Sequence, residues 1–259
     1  MNIVVLMKQV PDTAAERSLN PSDNTLDREA SDAVINEIDE FAIEEGLLLK
    51  EAHGGEVTVL TMGPERSTES IRKALSMGVD KGVQITDDAL HGSCAIQTAK
   101  VLAKALRTLE FDVVVAGSEA TDTRLSVVPA LVAEALGLPQ LSGARKLTMD
   151  GTTITIERAT DTGYDVVQAA TPAVVSVVEK INEPRYPSFK GIMAAKSKPV
   201  QQLSLADLGI AADEVGLANA TTSVESFEVA PPRAAGTVVK DDGNGGAAIA
   251  DYLAGKKLI

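Results

Sequence analysis

Asp112-Val113-Val114-Val115-Ala116-Gly117 is the stretch on which the fold turns. Its apolar residues run without polar alternation, so neither face is left for water, as expected of a strand covered on both sides in a parallel sheet. Asn2–Met7 (NIVVLM) is a second run of this kind. Glu56–Met62 and Val83–Thr86 read as two more strands. Helical patterns separate them. The first covers 37–52, with Ile38, Phe41, Ile43, Leu47 and Leu48 near one face and Gly54-Gly55 closing it. A second follows Gly63-Pro64 through Ile71, Leu75 and Met77. A third covers 93–109 through Ile96, Val101, Leu102, Ala105, Leu106 and Leu109, and a fourth covers 125–136. Residues 8–30 read as a polar loop. Strand–helix units with short connections predict an α/β fold, a doubly wound and mainly parallel sheet. In such a sheet the ligand crevice lies beyond the carboxyl ends of the strands.

After residue 140 the pattern changes. Lys146–Met149, Ile154–Arg158, Asp165–Ala169 and Ala173–Val178 look like strands separated by Asp-Gly and Asp-Thr-Gly turns, which predicts an antiparallel addition. Residues 179–200, with Pro184, Pro187 and Pro199, read as irregular. Beyond about residue 205 periodicity weakens through Pro231-Pro232 and a glycine cluster to a short helix at 247–255. The expected organisation is a domain over 1–205 and an extended C-terminal arm over 206–259 that needs a partner surface to lie on.

Composition excludes several classes of function. With 24 Lys+Arg against 37 Asp+Glu and a net charge of −13, the chain lacks the basic face of a nucleic-acid binder. Aromatics are 3% and Trp is absent, which argues against a base-stacking platform. The single cysteine, Cys94, excludes an internal disulfide and a multi-cysteine metal site, and is read as structural near a helix start. His53 and His91 stand far apart in sequence, so no metal centre is expected. No apolar run reaches the ~18–20 residues that span a bilayer. The start MNIVVLMKQVPD lacks the marks of a signal peptide, so a soluble cytoplasmic protein is expected. No nucleophile elbow, P-loop or acid/base pair stands out, and no catalytic residues are assigned.

Three loops fall on one rim of the expected sheet: Leu6–Asp12, Met62-Gly63-Pro64 and Ala116–Arg124. Glycine turns and helix starts there expose backbone N–H groups suited to a phosphate, and Arg124 adds a cation. Glycines at strand ends also serve as ordinary loop punctuation, and it is the coincidence of three that favours a ligand. Residues 179–200 hold five basic and two acidic residues inside this acidic chain, with Tyr186, Phe189, Ile192 and Met193 interleaved. Two readings stand side by side: a docking loop with a hydrophobic anchor and electrostatic steering, or a solvated loop whose aromatics fold back on the domain.

From the N-terminus to about residue 210 the chain resembles the β subunit of electron transfer flavoprotein. The resemblance is carried by Ile156–Asp165 (IERATDTGYD) with Thr171–Ser176 (TPAVVS), and by Asn182–Lys196 (NEPRYPSFKGIMAAK). Lys8–Asp12, the segment from Asn36 through Asp39 to Glu45, and Ala74–Asp80 match as well. The resemblance implies an adenine-nucleotide-hydrolase-like sheet and a heterodimer with an α subunit that holds most of an FAD. It further implies an AMP, or in some relatives a second FAD, in the β crevice. The carrier takes electrons from acyl-CoA and related dehydrogenases and passes them to a membrane quinone reductase. A stand-alone adenine-nucleotide-binding regulatory module is the alternative, since the same fold supports one. An ATP-dependent ligase would need a phosphate loop that is missing here.

The rim-loop reading places Gly63 at the ligand; position by position, the resemblance puts nucleotide contacts on Leu6 and Lys8 and on Asn36 and Asp39. It adds the loop from Gly117 through Glu119, Thr121, Asp122, Arg124, Ser126 and Val127 to Val128. Flavin neighbours fall near Thr13 and Ile38, and Asp165 stands where the signature carries an acid. Where the family pattern has Gln and Gly in the phosphate loop, this chain has Arg124-Leu125-Ser126-Val127-Val128-Pro129, and Pro129 has no N–H to give. That leaves Arg124 and Ser126 as side chains for a phosphate, and leaves AMP, a second FAD or neither open for the crevice. The family's partner-recognition loop falls on 180–200, with Pro184, Arg185, Tyr186, Ile192 and Met193 around an anchor at Phe189.

Overall fold

β-Branched runs form strands at the centre of a sheet, and amphipathic segments cover both of its faces. The computed structural model describes residues 1–232, 236 and 238–259. β1 (Asn2–Leu6) leads into a small antiparallel pair, β2 (Gln9–Pro11) and β3 (Ala33–Ile35), joined by a strap over residues 12–32. The polar loop expected at 8–30 is therefore bounded by strands. Next come α1 (Glu37–His53), β4 (Glu56–Met62), α2 (Thr68–Met77) and β5 (Lys81–Ile85). They are followed by α3 (Ala95–Leu106), β6 (Val113–Gly117) and α4 (Val128–Leu136). β7 (Gln140–Asp150), β8 (Thr153–Thr160), β9 (Gly163–Ala170) and β10 (Ala173–Val177) follow, then α5 (Phe189–Ala195) and β11 (Val200–Leu203).

Among the described residues these strands make one nine-stranded sheet in the order β11-β5-β4-β1-β6-β10-β7-β8-β9, apart from β2 and β3. β1 lies parallel between β4 and β6. Its side chains alternate between two cores, as the period of a strand requires. Ile3 and Val5 join α1 and α2 residues such as Ile43, Leu47, Ile71 and Leu75. Val4 and Leu6 join α3 and α4 residues such as Val101, Leu106 and Val132. The doubly wound expectation holds, and its reason is visible in β6, where all five residues are buried.

Four expectations need correction. Ala173–Val178 was expected in the antiparallel addition, but β10 pairs parallel to β6 and to the first half of β7. β7 then turns antiparallel to β8, with a bulge between Ala144 and Lys146, so the addition proper is β7–β8–β9. The "irregular" stretch 179–200 contains α5 and leads into β11, which pairs parallel to β5 and closes the opposite edge. On α1, Leu48 is 39% exposed while Leu49 is 5% exposed. Steps of three and four residues from Ile38 reach Ala42, Glu45 and Leu49, so the buried stripe passes Leu48 by. Ile96 on α3 is likewise exposed.

The chain divides into two units, Met1–Glu225 and Ser226–Ile259. Leu208 and Val215 are buried in the core of the first, so it extends past the residue 205 at which periodicity fades. The second unit contains α6 (Gly245–Gly255). Its entry is shaped by Asp241, whose Oδ1 accepts the N–H groups of Gly243 and Gly245 at 2.8 and 2.9 Å. No helix among the described residues is long and apolar enough to cross a membrane.

Candidate functional site

The three loops singled out in the sequence meet at the carboxyl ends of β1, β4 and β6. They line a cleft of about 1090 Å³ together with the strap and the segment 86–98. Leu6, Lys8, Asp39, Gly63, Gly117, Glu119, Asp122, Ser126, Val127 and Val128 all belong to its wall. Asn36, Thr121 and Arg124 do not line it, and the structure gives each another place.

Asn36 stands at the entry to α1 and is buried. Its Nδ2 donates to the Glu119 carbonyl at 2.8 Å and its Oδ1 accepts the Thr121 N–H at 2.9 Å, so one side chain fixes the turn after β6. Asp39, in the first turn of α1, accepts the Lys8 N–H at 2.8 Å and so holds the chain leaving β1. A Cβ on Gly117 would collide with Asp39 Oδ1 and crowd the Ile38 backbone, so only glycine lets α1 approach β6 this closely. Burial pushes the Asp39 carboxyl up to about 7, against the opposing hydrogen bond from Lys8.

A charge cluster closes one side of the cleft. The Asp122 carboxylate, with no exposed side-chain surface, takes Lys8 Nζ at 2.8 Å and Arg28 at 2.9 Å. Burial raises the Asp122 pKa, but Lys8 and Arg28 outweigh it and hold the carboxyl below its ordinary value. Burial likewise lowers the Lys8 pKa, with Asp122 opposing. Arg66 donates to the Arg28 carbonyl. His91 Nε2 meets Asp23 Oδ2 at 2.8 Å, and Asn24 Nδ2 donates to the carbonyls of Val224 and Glu225, each at 3.0 Å. The strap is thus tied down at Asp23, Asn24 and Arg28.

The loop expected to meet a phosphate is closed on itself. Glu119 accepts from Arg124 at 3.2 Å and from Ser126 Oγ at 2.7 Å. Arg124 and Ser126 adopt φ of +48° and +58° to reach it. Ser67 Oγ, which lies against Gly63 in the cleft wall, is buried with no hydrogen-bond partner among the described residues, and so is Thr121 Oγ1. Cys94 sits at the N-cap of α3 and also lines the cleft. Burial raises its pKa, but hydrogen bonds from the Thr221 side chain and nearby N–H groups outweigh this and bring the thiol down to about 7. Sequence reading missed Arg28, Arg66 and Ser67. Arg28 pairs with a residue 94 positions away, and no periodicity signals that.

The second region is the segment 182–196. Asn182 Nδ2 donates to Glu45 and to the Phe41 carbonyl, both at 3.0 Å. Arg185 embraces the Glu44 carboxylate through Nε and Nη2, each at 2.8 Å, and reaches Glu51 at 2.6 Å. Pro184 is half-buried beside it. The Ser188 side chain caps α5 by accepting the Gly191 N–H at 3.0 Å. Gly191 touches the Ser76 carbonyl so closely that no Cβ fits there. Arg72 donates to the carbonyls of Ala195 and Lys198, and Lys198 Nζ to those of Leu75 and Val79. Two of the five basic residues of this stretch are thereby held internally. Tyr186 and Phe189 remain 95% and 82% exposed, with Ile192 and Met193 also outward. Elsewhere, Thr13 bonds Glu37 at 2.6 Å, Ile38 is buried, and Asp165 is exposed on β9 opposite Arg158.

Comparison with known proteins gives the family. The electron transfer flavoprotein domain family matches residues 23–208. The electron transfer flavoprotein subunit beta of Mycobacterium tuberculosis is 56% identical over 264 aligned positions, covering 100% of this chain and 99% of that one. The subunit beta of Thermoanaerobacterium thermosaccharolyticum is 38% identical, covering 92% of each chain. That of Bacillus subtilis is 34% identical, covering 93% of each. With its parallel sheet, its rim cleft and relatives that each cover at least 92% of its length, the chain belongs to the electron transfer flavoprotein family, among the β subunits.

Proposed function

We propose that this chain is the β subunit of a heterodimeric electron carrier. It joins an α subunit, helps to enclose an FAD held mainly there, and keeps an adenine nucleotide, AMP in the simplest form, in its own cleft. Primary dehydrogenases such as those acting on acyl-CoA deliver electrons to the complex, and a membrane quinone reductase receives them. The C-terminal arm lies on the α subunit, and the complex works in the cytoplasm. The flavin, when bound, supplies the redox chemistry. The chain itself supplies walls, charges and a docking face and has no role as a catalyst.

The observation that carries this reading is the cleft at the carboxyl ends of β1, β4 and β6. It suits a nucleotide in size. Ser67 Oγ is an unpartnered hydroxyl in its wall, and Lys8 and Arg28 share a single carboxylate there. Those two cations would neutralise a phosphate, since Arg124 and Ser126 are taken up by Glu119. The loop from Gly117 to Val128 and the N-terminal turn of α1 would hold the nucleoside.

Docking of client dehydrogenases falls to Tyr186, Phe189, Ile192 and Met193, exposed apolar side chains in a row with Lys190 beside them. The test is to co-purify the chain with its α partner, denature the complex and count the released nucleotides by chromatography and mass spectrometry. One FAD and one AMP per heterodimer support the reading. Two FAD would assign the cleft a second flavin, and one FAD alone would overturn a nucleotide in it.

A further inference from the structure

We propose that Arg185 is a positioning residue for electron delivery: by gripping Glu44 of α1 it sets the row of apolar side chains that meets the client dehydrogenase. This rests on the docking reading above and adds to it the device that makes the row. Arg185 itself was expected among the partner contacts. Its guanidinium instead points back to α1, with two hydrogen bonds to one carboxylate and a third to Glu51. Such a two-pronged pair fixes orientation as well as distance. The Arg185 N–H also donates to Glu44, at 3.1 Å, so backbone and side chain are held by the same group. The Glu44 side chain is 7% exposed, and this places it out of reach of any partner.

The grip acts at one end of the segment. At the other end Gly191 lies against the Ser76 carbonyl, and Arg72 takes the carbonyls of Ala195 and Lys198. Between these points Phe189, Ile192 and Met193 occupy positions i, i+3 and i+4 of α5, one face of the helix, with Tyr186 one turn earlier. All four point outward. The polar groups thus restrain the backbone while the apolar groups are left free. A preformed row avoids the ordering cost that a flexible loop would meet on docking.

The experiment uses the FAD-loaded heterodimer with a client dehydrogenase as electron donor, and reads KM for the carrier separately from kcat. The variants are Arg185→Lys, Glu44→Gln, their combination and Phe189→Ala. Arg185→Lys keeps the charge and loses the fork, so a rise in KM reports geometry rather than steering. We expect KM to rise about tenfold in Arg185→Lys and in Glu44→Gln, and no further in the combination. Flavin content, kcat and the rate of flavin reduction by dithionite, which needs no docking, should stay unchanged. A rise in KM for Phe189→Ala but none for Arg185→Lys and Glu44→Gln would overturn this proposal and leave the docking reading standing. Independent, multiplying effects of the two single variants would overturn it as well. An unchanged KM for Phe189→Ala would bring down the docking reading and this proposal together. Should Arg185→Lys fold poorly, Glu44→Gln, which keeps size and one acceptor, carries the same test.

Discussion

At its entry α1 turns polar groups inward, with Asn36 and Asp39 stitching the loops after β6 and β1 to the cleft wall. Further along the same helix, Glu44, Glu45 and Glu51 grip a segment from the outside and leave its apolar side chains in water. In the first region polar atoms are consumed in shaping a cavity. In the second they are consumed in holding a backbone so that nonpolar atoms can be offered. The contrast teaches that burial of charge means different things at the two places. Around the cleft it shapes electrostatics, and at 182–196 it only secures geometry.

The largest effect that could break this contrast is expected at Asp39. Its carboxyl holds a proton up to about pH 7 in the folded protein, against 3.8 as the ordinary value. The folded state therefore binds the extra proton between pH 4 and 7. Stability falls across that window as pH rises, and levels off above it. The loss is on the order of 4 kcal/mol. Urea midpoints measured from pH 4 to 7 should slope downward, and Asp39→Asn should remove most of that slope. An identical slope in the variant would show that Asp39 is not a strained buried acid.

Next in size is Asp122→Ala, which leaves Lys8 and Arg28 facing each other without their carboxylate. Breaking a buried pair costs about 3–5 kcal/mol. About a third of each cation's side chain is exposed, so a loss nearer 2 kcal/mol is expected by thermal or urea unfolding. Phe189→Ala sharpens the other half of the contrast. Removing an exposed anchor should leave the melting temperature unchanged and lower kcat/KM with a client dehydrogenase roughly 30-fold, about 2 kcal/mol. Smallest is Arg124→Ala. Its pair with Glu119 is exposed, and a stability change within about 0.5 kcal/mol is expected. A strong loss of nucleotide from the purified complex of that variant would mean that Glu119 releases Arg124 to the cleft.

The sheet's centre was legible because runs such as Val113–Val115 leave no face for water, and the rim loops follow from that. The partner of β10 was not legible. Ala173–Val177 is as apolar as β6, which signals burial on both faces, but the Asp-Gly turns around it pointed to hairpins. Lys8 and Asp39 were placed in the cleft wall from the resemblance, whereas the company they keep, Asp122 with Arg28, is a contact across long stretches of chain that no local spacing records. Arg185 is the instructive case. Composition counted its charge toward a basic surface, and only three-dimensional pairing reveals that the charge is used inside the protein.

The anchoring of 182–196 also has a consequence in time. Its grips lie on α1 and α2, elements made on the order of a hundred residues earlier, and β11 just beyond it closes against β5 across a similar separation. A chain still emerging from synthesis, or one only partly folded, carries Tyr186, Phe189, Ile192 and Met193 but no ordered row of them. On the docking proposed above, recognition by an electron donor is then a form of inspection: only a finished subunit presents that row.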